Sequence, residues 1–253
     1  MELSKFSLKG KVAIVVGGAG DIGRAIALTL GNAGADVVVT SRKLENLQKV
    51  ADEIKAKGGK SLAIASHIAK VEDTKTLVKQ VMDALGRIDI LVNSSGASFI
   101  VPLLQMEERT WDHVMNVNVK GPFFLCQQVA PIMKEQGGGS IINITSYLGV
   151  RTEENLGAYC VSKAAVMHLT RVMAREWGKY NIRVNAIAPA WVHSHLADPF
   201  LQQPGINDRM LSQTVLGRFG EPDDVAAIAL YLASDAAANT TAGVFPLDYG
   251  MLT

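Results

Sequence analysis

The sequence predicts an α/β fold: one parallel sheet covered by helices on both faces, the doubly wound arrangement. Three observations carry this. Apolar runs of strand length alternate with amphipathic stretches of helix length along the whole chain. A Gly-rich turn joins the first apolar run to the first helical stretch. The composition, 48% apolar and 19% charged, supplies enough apolar side chains to bury a sheet from both sides.

Each element has its own signal. Val12 to Val16 is unbroken and β-branched, so it reads as a buried strand. Asp21 to Ala33 follows as a helix, and Asp36 to Thr40 as the second strand. Leu44 to Lys57 has helical periodicity and ends at Gly58-Gly59, as a helix C-terminus should. Ser61 to Ala65, Ile88 to Asn93, Ser140 to Thr145 and Ile182 to Ala188 read as further strands, with a long helix from about Leu156 to Lys179. No Pro/Ser-rich linker or internal repeat interrupts the pattern, so residues 1–253 are read as one domain. The least regular stretch, Ala190 to Gly220, is a candidate lid. In this architecture ligands bind beyond the carboxyl ends of the strands.

Composition narrows the function. Basic and acidic side chains balance at 25 to 24, which argues against nucleic acid or an anionic membrane as partner. Cys126 and Cys160 make no disulfide framework, and there is no CxxC. His193 and His195 form a His-x-His with no third ligand in view, so no metal is expected. Met1 to Lys5 has no apolar core of a signal peptide, and no apolar run reaches the ~18 residues of a membrane span. A reducing cytoplasm is the expected location.

Two segments carry chemistry. Tyr159 and Lys163 are four residues apart on a helix, which puts them on one face. A tyrosine titrates near ~10 and is a poor acid or base at neutral pH, but a nearby ammonium stabilises the phenolate. The pair is therefore expected to exchange a proton with a substrate oxygen. Upstream, Gly17-Gly18-Ala19-Gly20-Asp21-Ile22-Gly23 lets the backbone and a helix N-terminus approach a pyrophosphate. About twenty residues on, an NAD site would carry an acidic residue. Here the segment is Thr40-Ser41-Arg42-Lys43, and Ser41 and Arg42 suit a 2′-phosphate, so NADP(H) is expected over NAD(H).

These residues resemble the short-chain dehydrogenase/reductase family over nearly the full length. The family's Gly-rich motif corresponds to Gly17, Ile22 and Gly23, with Asp21 where a glycine is usual. Its Asn-Asn-Ala-Gly segment appears as Asn93-Ser94-Ser95-Gly96. Its catalytic asparagine, serine, tyrosine and lysine correspond to Asn118, Ser146, Tyr159 and Lys163. Its Pro-Gly motif appears as Pro189-Ala190, with Val192 and Ser194 expected at the nicotinamide. His67, followed by Ile68, stands where an adenine-contacting aspartate is common, a pattern similar to NADPH-dependent carbonyl reductases. The resemblance implies a seven-stranded, mostly parallel Rossmann sheet. It implies that Ser146 holds the substrate oxygen, Tyr159 moves the proton, Lys163 binds the ribose, and Asn118 holds a water leading to solvent. The C-terminal Leu247-Asp248-Tyr249-Gly250 resembles the family's Asp-Gly-Gly and implies a homotetramer.

Singly, each of these residues has a plainer role open to it. Ser146 could cap a loop, Tyr159 could be a packed aromatic, and Asn118 could bond backbone at a helix kink. Family resemblance puts the substrate between the loop after Ser146 and the lid. Leu148, Arg151, Trp191 and His195 are expected to contact it, with Tyr147, Glu153, Glu154, Asn155, His193, Phe200 and Leu201 nearby. Arg151 could recognise a carboxylate, and the polar loop favours a polar substrate. Three substrate classes stay open: 3-oxoacyl thioesters, sugar acids or polyols (as in gluconate 5-dehydrogenases), and xenobiotic carbonyls. A dinucleotide-sensing module without catalysis is the alternative from another class.

Overall fold

The computed structural model describes residues 3–195, 197–202 and 204–252. Met1 and Glu2 of the N-terminal segment and the Phe200 side chain of the lid lie outside it. Seven strands form one sheet in the order β3-β2-β1-β4-β5-β6-β7, and every neighbouring pair is parallel. The strands are β1 (Val12–Val16), β2 (Asp36–Ser41), β3 (Ser61–Ala65), β4 (Ile90–Asn93), β5 (Gly139–Ile144), β6 (Ile182–Pro189) and β7 (Val244–Leu247). The principal helices are α1 (Asp21–Asn32), α2 (Leu44–Ala56), α3 (Val71–Leu85), α4 (Glu108–Met115), α5 (Gly121–Glu135) and α6 (Gly157–Trp177). They are followed by α7 (Asp198–Leu201), α8 (Ile206–Leu211) and α9 (Pro222–Ala233).

The strand period of two divides the core. Along β1, Ala13 and Val15 face a cluster completed by Ile26 and Leu30 of α1, Leu47 and Ile54 of α2, and Val225 and Leu232 of α9. Val12, Ile14 and Val16 face the opposite cluster, with Leu77 and Val81 of α3, Leu125 and Val129 of α5, and Met173 of α6. All five β1 side chains are buried. At about 1.5–3 kcal/mol for each large one, this strand alone anchors both layers.

The expected strands are present with small shifts. β4 starts at Ile90 rather than Ile88, β5 runs one residue earlier at each end, and β2 extends to Ser41. The long helix ends at Trp177 and tightens into a 3₁₀ turn over Gly178–Tyr180. The lid contains the two short helices α7 and α8. The strand order reverses at β1, whose neighbours are β2 and β4. The carboxyl ends of β1 and β4 thus open a crevice at the topological switch point.

Candidate active site

The crevice starts at the Gly-rich turn. The Gly17 and Gly18 N–H groups both donate to the Thr40 carbonyl, at 2.8 and 3.3 Å. Gly17 has φ +76°, and a Cβ there would lie 2.9 Å from the Ser94 carbonyl carbon and the Ser95 nitrogen. At Gly23 a Cβ would fall 2.1 Å from the Gly17 carbonyl oxygen, so only glycine lets α1 pack on the turn. Gly20 caps α1 in an extended conformation and offers no side chain to the first-turn N–H groups. Those donors and the positive helix end suit a phosphate. Asp21, at the position where the resemblance implies glycine, turns its carboxylate to the lid. It accepts the His195 N–H at 3.0 Å and stands 2.8 Å from the His195 ring Nδ1. The carboxylate pulls the His195 pKa up.

Two cavities meet at this turn, sharing Gly17, Gly20, Ser94, Gly96 and Ala97 in their walls. The first, about 380 Å³, lies over β2 and β3 and is lined by Ser41, Arg42, Lys43, Ser66, His67 and Ile68, among others. No carboxylate lines it among the described residues. The Ser66 and Ser95 hydroxyls are buried there without a protein partner. The second, about 410 Å³, runs under the lid to Ser146, Tyr159 and Lys163. Ile22, Gly23, Pro189, Val192 and Ser194 line its near wall, and Tyr147, Leu148, Leu156 and Trp191 its far wall. Two lobes joined at a phosphate-sized, N–H-lined turn fit a dinucleotide. Ser41 and Arg42 lie at one end, and Lys163, Val192 and Ser194 at the other.

The proton-handling groups converge in the second lobe. Ser146 follows β5, and its oxygen accepts the Leu148 N–H at 3.2 Å, which orients the side chain. Tyr159 lines the same cavity. Burial pushes the Tyr159 pKa up to about 12, with Ser146 pulling the other way. Burial pushes Lys163 down to about 8. The Lys163 ammonium donates to the Ile144 carbonyl at 2.9 Å and lies 5.4 Å from the centre of the Tyr159 ring. Burial of the phenolate dominates, so the tyrosine lies above its ordinary value and the lowering expected from Lys163 is not seen in the chain itself.

Four expected contacts fall elsewhere. Asn118 sits in a π-helical turn, Asn116–Lys120, between α4 and α5. Its amide oxygen accepts the Ala97 N–H at 2.7 Å, and its NH₂ donates to the Ala97 carbonyl and the Ser162 hydroxyl, both at 2.9 Å. It pins the loop after β4, the plainer of its two roles, and does not line either cavity. Asn93 is buried behind the wall, where its NH₂ donates to Asn143 at 2.9 Å. Arg151 donates from Nη1 to the Met251 carbonyl at 3.4 Å, outside the cavity wall. His195 is exposed and also outside the wall, held by Asp21. Conversely, Asn46 and His113 line the first lobe and Ile100 the second, without having stood out in the sequence. Asn46 had a signal: it lies one helical turn beyond Arg42 at the start of α2. His113 and Ile100 come from segments whose approach only the fold reveals.

With this geometry described, the chain can be set beside known proteins. Residues 17–252 match a family model described as enoyl-(acyl carrier protein) reductase. The chain is 36% identical to the 3-oxoacyl-[acyl-carrier-protein] reductase FabG of Thermotoga maritima, over 97% of this chain and 99% of the relative. Among solved structures it resembles a 7α-hydroxysteroid dehydrogenase complexed with NADH and 7-oxo glycochenodeoxycholic acid. That match has TM-score 0.96 and 36% identity, over 99% of this chain and 97% of the other. It also resembles a gluconate 5-dehydrogenase of Burkholderia cenocepacia in complex with NADP and tartrate. There the TM-score is 0.95 and the identity 30%, over 99% and 98% of the two chains.

Proposed function

The chain belongs to the short-chain dehydrogenase/reductase family, NAD(P)-using oxidoreductases acting on CH–OH and C=O groups. From that premise we propose that it interconverts a ketone and a secondary alcohol, prefers NADP(H) to NAD(H), and uses Tyr159 as its acid–base group. The observation that carries the reading is that Ser146, Tyr159 and Lys163 line one cavity that continues to the Gly-rich turn.

The bound nicotinamide supplies or accepts the hydride. Everything else falls to side chains of this chain. Ser146 donates to the substrate oxygen and holds it beside Tyr159. Tyr159 is protonated at neutral pH, so it stands ready to donate as the oxygen gains charge during reduction. In oxidation it takes the proton back. Lys163 is charged below about pH 8, and its ammonium favours the tyrosinate left by proton donation. Preference for NADP(H) is supported by Ser41, Arg42 and Lys43 in a lobe without a lining carboxylate. The relatives are divided, since one structure carries NADH and another NADP.

The reading extends to a cytoplasmic homotetramer. Cys126 and Cys160 are free and buried, as thiols are in a reducing compartment. Val161 and Val172 expose an apolar stripe on α6 that suits self-association. The test is nicotinamide absorbance with NADPH and NADH over a panel of ketones, keto-sugars and a 3-oxoacyl thioester. Turnover favouring NADPH is the expected result. Tight cofactor binding without turnover on any substrate would overturn the reading.

A further inference from the structure

The substrate half of the second lobe has a chemical character that the sequence did not suggest. Its wall is built from Ile100, Tyr147, Leu148, Leu156 and Trp191. Only two charged side chains line the whole lobe among the described residues, Asp21 and Lys163. Both are engaged, Asp21 by His195 and Lys163 by the Ile144 carbonyl. The charges of the substrate loop point away: Arg151 to the Met251 carbonyl, and Glu153 to Arg209 at 3.4 Å. A substrate carboxylate or phosphate near the reacting carbon would be desolvated here with no cation to pair with, and polyol hydroxyls would find few partners.

The far wall is also stiff. Tyr147 is 3% exposed and packs with Leu148, Cys160 and Met251, with Trp191 against the same cluster. The packing of Tyr147 and Trp191 in one cluster holds two aromatic surfaces relative to each other. Ile100 of this wall is exposed, in a segment tied to the substrate loop by the Val101 N–H donating to the Asn155 carbonyl at 2.8 Å. A fixed apolar slot favours a rigid ligand, because a flexible chain loses rotamer freedom on entering it.

We infer, resting on the ketone-reducing reading above, that the substrate is an uncharged ketone whose carbonyl lies on or next to an alicyclic or aromatic ring system. It is neither a sugar acid nor a polyol, and an open-chain 3-oxoacyl thioester is a poorer fit. The proton and hydride balance is unchanged: two electrons and one proton arrive as hydride, a second proton comes from Tyr159, and the carbonyl becomes a secondary alcohol.

The experiment compares kcat/KM for 1-decalone, α-tetralone, a 3-oxooctanoyl N-acetylcysteamine thioester and 5-keto-gluconate, with NADPH and with NADH. The ring ketones are expected to lead the keto-acid by about a hundredfold, the scale on which a site rejects an analogue whose polar groups it cannot pair. Highest efficiency with 5-keto-gluconate or with the thioester would overturn the inference while leaving the ketone-reducing reading intact. Turnover with none of them, despite cofactor binding, would overturn the reading and the inference together. Trp191→Ala keeps the inference falsifiable from inside the pocket. It is expected to raise KM for decalone by about tenfold more than for cyclopentanone, with Trp191→Phe restoring most of the difference. Equal losses on the large and small ketones would show that Trp191 only holds up the lid, and would count against the slot.

Discussion

The two lobes of the crevice differ in both chemistry and construction. The lobe over β2 and β3 offers hydroxyls, histidines and the exposed cations Arg42 and Lys43 to its ligand. The lobe under the lid offers apolar and aromatic surface, with polar atoms gathered at Ser146, Tyr159 and Lys163. The first is assembled largely at strand ends, where the sheet dictates position. The second draws on loops from four separate parts of the chain. A cofactor lobe built this way binds a shape common to a family, whereas the substrate lobe can change by loop substitution without disturbing the sheet. Under the function proposed above, substrate choice falls to lining residues of the second lobe such as Leu148 and Trp191 rather than to the Gly-rich turn.

The sharpest way to separate the lobes is to disable the chemistry of one and leave binding in the other. Tyr159→Phe removes one hydroxyl from the second lobe and nothing from the first. Turnover is expected to fall by about 10²- to 10⁴-fold, the usual worth of a positioned acid–base group. The NADPH dissociation constant, measured by calorimetry, should stay within about threefold on the same grounds. Retained turnover would remove Tyr159 from the mechanism.

The reverse experiment attacks the first lobe. Arg42→Ala should lower the ratio of NADPH to NADH efficiency by about ten- to a hundredfold, the range for loss of a charge-assisted hydrogen bond. The kcat with saturating cofactor should hardly move, because Arg42 lies outside the lobe that holds Tyr159. An unchanged ratio would assign the cofactor preference to other residues, with Lys43 the next to replace.

Acidity sharpens the contrast further. Tyr159 stands near 12 and Lys163 near 8. Oxidation of an alcohol needs the phenolate, so its kcat/KM should climb with pH from neutrality by up to about tenfold per unit. Above about 8 the lysine loses its charge and its support for the phenolate, and the climb should flatten. Reduction needs the neutral hydroxyl and should stay level through the same range until the lysine titrates. In Lys163→Arg the flattening should vanish, since a guanidinium does not titrate there. A break that persists in that variant would belong to another group.

How much of this was readable from the sequence follows the same division. Gly17 to Gly23, Ser146 and the Tyr159/Lys163 pair are local spacings, and local spacing survives folding. The contacts that surprised span long separations: Arg151 to Met251 covers 100 residues, and His195 to Asp21 covers 174. No periodicity encodes such pairs. Asn118 kept its position, but its amide is taken up by Ala97 and Ser162, a demand visible only once the π turn is built. Strand β7 escaped notice because Val244–Leu247 is short and carries Pro246, which a strand tolerates only at a sheet edge, where β7 lies. Arg151 and Glu153 turn to the Met251 carbonyl and to Arg209, and composition does not say which way a side chain turns.

The smallest expected effect concerns a direct tie between the phosphate turn and the lid. Asp21, at the position where the family resemblance implies glycine, accepts the His195 N–H and pairs with the His195 ring. The carboxylate raises the histidine pKa, so the ring is charged and the tie complete at the low end of the neutral range. As pH rises through that raised pKa, the charge is lost and only the neutral hydrogen bonds remain. The pair is exposed, and exposed pairs contribute little to stability. Its consequence should appear in kinetics: NADPH dissociation, followed by stopped-flow fluorescence, is expected to quicken by about two- to threefold from pH 6 to pH 8. His195→Ala should abolish that slope and release cofactor at the faster rate at both values. Asp21→Asn should do the same while keeping an acceptor for the His195 N–H, which separates the charge from the backbone bond. A slope that survives in both variants would place the control of release elsewhere in the lid, and the departure from glycine at Asp21 would then have no part in holding the two lobes together.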